Sequence, residues 1–104
     1  MDPVQFTRVA KALADPRRFA LLEMIAEGGE LACKRMVESL PVSQATISHH
    51  LKELATAGLI TPRRDGQCSH YRACPEVVAE YTAELERRLR LTASAGVGQP
   101  LSST

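Results

Sequence analysis

Ser43-Gln44-Ala45-Thr46-Ile47-Ser48-His49-His50-Leu51-Lys52-Glu53-Leu54 carries two chemistries on one helix. At roughly 100° per residue, Ile47, Leu51 and Leu54 fall within about 60° of one another and define a face to be buried. The opposite face holds Ala45, Ser48, His49, Lys52 and Thr56. These are small residues that permit close approach, hydrogen-bonding groups and one cation, with no large apolar side chain. Ser43 is a good N-cap, and Gly58 predicts the stop after Ala57. At the helix start, Ser43, Gln44 and Thr46 lie where free N–H groups and the helix dipole favour a phosphate. Gln44 could instead reach a base edge, because its amide matches the donor and acceptor of adenine. His50 lies nearer the core face and is expected to be structural.

Working outward, Pro41-Val42-Ser43 forms a tight connection to a short helix over residues 31–39, with Leu31, Met36, Val37 and Leu40 apolar. On the other side come Leu59-Ile60-Thr61-Pro62-Arg63-Arg64, then Asp65-Gly66, then Cys68-Ser69-His70-Tyr71-Arg72-Ala73. Two extended runs around Asp-Gly predict a β-hairpin, and Pro62 fits an edge position. Two short helices with a tight turn and a basic hairpin behind them predict a winged helix-turn-helix. Ser43, Gln44, Thr46, Ser48, His49 and Lys52 would then meet a major groove and its phosphates. Arg63, Arg64, His70 and Arg72 would lie along the adjoining backbone or a minor groove. A polar helix face is commonly only solvated, and paired arginines are common on surfaces; it is their order and spacing that give them meaning here.

The flanks complete the architecture. Phe6, Val9, Ala10 and Leu13 give residues 4–14 helical periodicity, and Asp15-Pro16 ends that helix and caps the next. Phe19, Leu22, Met24, Ile25 and Ala26 fill the second helix until Gly28-Gly29. Pro75 opens a last helix with Val78, Tyr81, Leu85 and Leu89 in a stripe. The expected fold is therefore mainly α, about five helices plus a two-stranded wing, in one domain over residues 1–91. Residues 92–104 are uncharged Ser, Gly, Ala and Pro in the main and are expected to be a flexible tail. The outer stripes (Phe6, Val9, Leu13; Val78, Tyr81, Leu85, Leu89) exceed what so small a core can cover. Pairing two copies across a two-fold axis would bury them and set two recognition helices about 34–36 Å apart.

The 104 residues include 13 Lys or Arg and 12 Asp or Glu, a net charge of +1. That average hides a segregation. Residues 31–74 hold six basic and three acidic groups, so the surplus lies in the helix-turn-helix and hairpin. Apolar residues make up 44%, enough for a small core, and with no Trp that core must be aliphatic. Met1-Asp2-Pro3 opens no secretory signal, and no run approaches the about eighteen apolar residues that span a bilayer. A cytoplasmic, thiol-reduced protein is expected. No glycine-rich phosphate loop, Gly-x-Ser-x-Gly elbow or His-Glu-x-x-His occurs, so an enzyme is not expected.

Ala12-Leu13-Ala14-Asp15-Pro16-Arg17-Arg18 before a Leu-rich helix resembles the opening of ArsR-type (arsenic-repressor-like) bacterial regulators. The Ser43–Leu54 block followed by Ala57-Gly58-Leu59-Ile60 resembles that family's recognition helix, and Arg64-Asp65-Gly66-Gln67 with His70-Tyr71-Arg72 resembles its wing. The resemblance covers about residues 5–90. It implies a homodimeric repressor that binds a palindromic double-stranded DNA operator and leaves it when an effector binds. In many relatives the third helix carries Glu-Leu-Cys-Val-Cys-Asp. Here Glu30-Leu31-Ala32-Cys33-Lys34-Arg35 places Ala32 and Lys34 at the two cysteine positions, so that thiolate pair is missing. The last helix has Glu76, Glu80, Glu84 and Glu86 but no His, a poor zinc or nickel set. No metal site and no cofactor are expected.

Three cysteines remain as thiol candidates. Cys68 and Cys74 are six residues apart on one strand, about 20 Å, and too far for a disulfide. Cys74 stands at the N-cap of the last helix, where a thiol's pKa falls, and Cys33 sits beside Lys34 and Arg35. The effector could be an oxidant or a metalloid at these thiols, or there could be none. The rival from another class is a dimeric protein-interaction module that keeps a degenerate winged helix without specific DNA binding.

Overall fold

The computed structural model describes residues 1–90. Five helices and three strands follow in the order α1 (Pro3–Ala14), α2 (Pro16–Gly28), β1 (Glu30–Ala32), α3 (Cys33–Ser39), α4 (Gln44–Thr56), β2 (Ile60–Asp65), β3 (Cys68–Ala73) and α5 (Pro75–Arg88). The expected tail over 92–104 lies outside the described residues. No described helix is long and apolar enough to cross a membrane.

Local chemistry sets the boundaries. The Asp15 carboxylate accepts from the amides of Arg17 (2.9 Å) and Arg18 (3.1 Å), so one residue ends α1 and caps α2. Those bonds hold its carboxyl below the usual range. Asp2 caps α1 in the same manner through Val4, and Ser43 Oγ accepts from Thr46 N at 3.2 Å to start α4. Proline opens α1, α2 and α5, where a missing N–H costs nothing.

The sheet has one strand more than the expected two. Glu30–Ala32 forms β1 and pairs antiparallel with β3, in the strand order β1-β3-β2. Gly29, at φ +81°, turns the chain out of α2, and its carbonyl accepts from Ala73 N at 3.0 Å to extend the ladder. The partner strand thereby satisfies backbone groups that a third helix from residue 31 would have left as an uncapped N-terminus. α3 accordingly begins at Cys33.

The core is aliphatic, as the composition requires. Leu21, Leu22 and Ile25 of α2, Ile47, Leu51 and Leu54 of α4, and Met36, Leu59 and Ile60 form one buried cluster. Val9 corrects an expectation: it is 0% exposed within its own chain, so it belongs to this core and offers nothing to a second copy. Leu13 and Tyr81 are half-buried and also pack against this core. Val78, Leu85 and Leu89 stay exposed, Leu89 at 59%. Phe6 stacks on Tyr81 with ring centroids 4.9 Å apart, and the Arg88 guanidinium lies 4.0 Å over the Phe6 ring. These contacts tie α1 to α5.

Candidate nucleic-acid interface

α4 presents the two faces that its sequence predicts. Ile47, His50, Leu51 and Leu54 are buried, whereas Gln44, Ala45, Ser48, His49, Lys52 and Thr56 are exposed. Burial lowers the pKa of His50, against the pull of Asp15. Ser43 and Thr46 are occupied with each other. Their hydroxyls lie 3.0 Å apart, beside the capping bond to Thr46 N, and Thr46 is half-buried. Their first task is to build the helix start.

The wing divides by strand register. Ile60↔Ala73, Pro62↔Tyr71 and Arg64↔Ser69 share one face with Leu31. Ile60 is buried, and Leu31, Tyr71 and Ala73 pack on the core, so this face turns inward toward the helices. Thr61↔Arg72 and Arg63↔His70 share the opposite face with Glu30 and Ala32. Of the four wing cations expected at DNA, Arg64 therefore stands on the inward face, while Arg63, His70 and Arg72 stand on the outward one.

A groove of about 570 Å³ runs between α3, the start of α4 and the inward side of the wing. Gln44 and Ser48 line it from α4, Lys34 from α3, and Ser69 and Tyr71 from β3. Lys34 is exposed; the sequence offers it only as the replacement of a cysteine and as a cation beside Cys33, not as a DNA contact. Its one signal was its being a cation on the first helix of the helix-turn-helix. His49 and Lys52 do not line this groove but continue along the exposed face of α4. Arg63 is not free: its Nε and Nη2 donate to the two carboxylate oxygens of Glu30, each at 2.9 Å. Arg64 and Arg72 pair with no carboxylate among the described residues.

The thiols sort differently from the expectation. Cys74 is buried, and its sulfur lies 3.1 Å from the Thr61 hydroxyl without capping α5, so it is not an accessible thiol at a helix end. Cys33 is half-buried, and desolvation pushes its pKa up in spite of the neighbouring cations. Cys68 is exposed on the wing. Cys33 and Cys68 both line the groove that holds Gln44 and Ser48. No three His, Cys, Asp or Glu side chains converge as a metal site among the described residues.

Residues 13–63 match the family described as a helix-turn-helix domain. The chain is 44% identical over 69 residues to an arsenic resistance transcriptional regulator of Pseudomonas putida, covering 66% of this chain and 54% of that one. It thus spans about half the length of that relative. Over 71 residues it is 34% identical to an arsenical resistance operon repressor of Staphylococcus xylosus, covering 68% of this chain and 67% of the relative. Among solved structures, it is similar to the homodimeric winged helix-turn-helix DNA-binding domain of a possible ArsR-family regulator from Mycobacterium bovis. The TM-score is 0.66 at 32% identity, over 78% of this chain and 75% of that one.

Proposed function

The chain belongs to the ArsR-type family of winged helix-turn-helix transcriptional regulators, and from that premise we propose that it acts as a homodimeric repressor of a palindromic operator. The observation that carries this reading is the exposed polar face of α4, with Gln44, Ser48, His49 and Lys52, beside a groove shared with Lys34 and the wing. Gln44 and Ser48 would address base edges, while Lys52, Lys34 and Arg64 would neutralise phosphates. Dimerisation rests on Val78, Leu85 and Leu89 of α5, exposed in the single chain, joined by the half-buried Phe6 of α1. Release would follow an effector or thiol modification, and Cys68 is the accessible thiol for it.

Fluorescence anisotropy against the DNA upstream of the chain's own gene, with a random duplex beside it, tests the proposal. Expected is tighter binding to the upstream DNA, with log K falling linearly against log salt. Binding that is absent or independent of salt would favour the protein-interaction module. Light scattering of the purified chain should give twice the monomer mass.

A further inference from the structure

The bidentate Glu30–Arg63 pair on the outward face of the wing joins residues 33 positions apart and holds the guanidinium of one of the arginines expected at DNA. We propose that Glu30 is an intramolecular stand-in for a DNA phosphate, occupying the Arg63 fork and so limiting how tightly the wing grips DNA. The inference rests on the DNA-binding reading.

Three features of the geometry support it. The two parallel N–H donors of Arg63 meet both carboxylate oxygens in the arrangement that a phosphate would otherwise accept. The pair is also accessible. Arg63 is half exposed and Glu30 about a third, so the fork lies where a DNA backbone could reach it once the carboxylate is removed. Finally, the two faces of the wing are unequally equipped. Arg64, inward, has no carboxylate partner, whereas the outward face carries Arg63, Arg72 and His70 with Glu30 set among them. A hairpin against a minor groove has a phosphate backbone on either side. With Glu30 in place the inward face supplies a free cation to one strand, and the outward grip on the other is reduced by one arginine.

The test is a mutant cycle on the full chain. Wild type, Glu30→Gln, Arg63→Gln and the double variant are titrated with a labelled random-sequence duplex at several salt concentrations. Glu30→Gln should tighten binding about three- to tenfold and steepen the log–log salt slope by about one per engaged wing. Arg63→Gln should stay within about twofold of wild type, because its fork is already occupied, and the double variant should match it. Glu30→Asp retracts the carboxylate by one methylene without changing net charge. It should therefore tighten binding in part, which a bulk charge effect would not produce. Circular dichroism melts with midpoints near that of the wild type check that each variant folds. Equal tightening by Glu30→Gln with and without Arg63 overturns the inference alone, as does weaker binding, which would make Glu30 a support for Arg63. Absence of salt-dependent binding in all of these proteins overturns the DNA reading together with the inference.

Discussion

Gln5 of α1 donates its side-chain amide to the Ala57 carbonyl, 3.1 Å away, and so fastens the first helix to the end of the recognition helix. The next residue, Gly58, has φ +85°, and a Cβ built there would lie 2.8 Å from Gln5 Nε2. Two constraints therefore meet at one position, a left-handed turn and a close approach. Gly58→Ala should lower the thermal midpoint by roughly 5–10 °C at fixed protein concentration, from a strain of about 1–2 kcal/mol. Gln5→Ala removes the crowding but not the strain, so the double variant should fall short of the sum of the single losses. Strict additivity in circular dichroism melts would show that the contact contributes nothing.

This junction also shows where a sequence stops being legible. Gly58 is readable as a helix stop because a C-terminal glycine is a local signal. Gln5, 53 positions earlier, carries no mark of its role. The same holds across the chain. α4 was legible because Ile47, Leu51 and Leu54 repeat at helical spacing and face one core. β1 was not, since three residues are too few for a period and their strand identity comes from β3. Val9 looked like part of an outer stripe because periodicity gives a face without saying what covers it. The burial of Cys33 and Cys74 was hidden for a related reason. Neighbours in sequence suggested an electropositive setting for Cys33, while burial, a tertiary property, decides its pKa.

The division of the wing predicts unequal arginines. Arg64→Ala should weaken binding to specific and random DNA alike and flatten the salt slope by about one unit, as should Lys52→Ala on α4. Lys34→Ala should do the same, because Lys34 lines the groove with Gln44 and Ser48. An unchanged slope in anisotropy titrations would remove the corresponding residue from the phosphate contacts.

Gln44 and Ser48 should behave otherwise. Each reaches into the groove from the exposed face of α4 without an intramolecular hydrogen bond among the described side chains. Gln44→Ala or Ser48→Ala should therefore relax discrimination at one base pair by about 1–3 kcal/mol while leaving the random-duplex affinity nearly constant. Selection from a randomised duplex pool reads this directly. Equal losses on specific and random DNA would reassign either residue to the backbone.

Acid should act on the α1–α5 junction through Glu84. Its carboxylate accepts from Arg87 Nε at 3.1 Å and Arg88 Nε at 2.8 Å, with the Met1 amino group 3.9 Å away. The Arg87 and Arg88 bonds hold its pKa down to about 2, against an ordinary value of 4.5. Because the folded pKa is the lower one, the unfolded chain binds the proton first. The stabilisation is thus complete above about pH 4.5 and is lost as pH falls toward 2. Glu84→Gln should be less stable than wild type at neutral pH, with the difference shrinking through that window. Asp15 and Glu30 also have lowered pKa values, so both proteins weaken in acid and only their difference reports on Glu84. Urea midpoints from pH 7 to pH 2 would measure it, and a constant gap would mean that the variant acts through packing and not through the charge of the carboxylate.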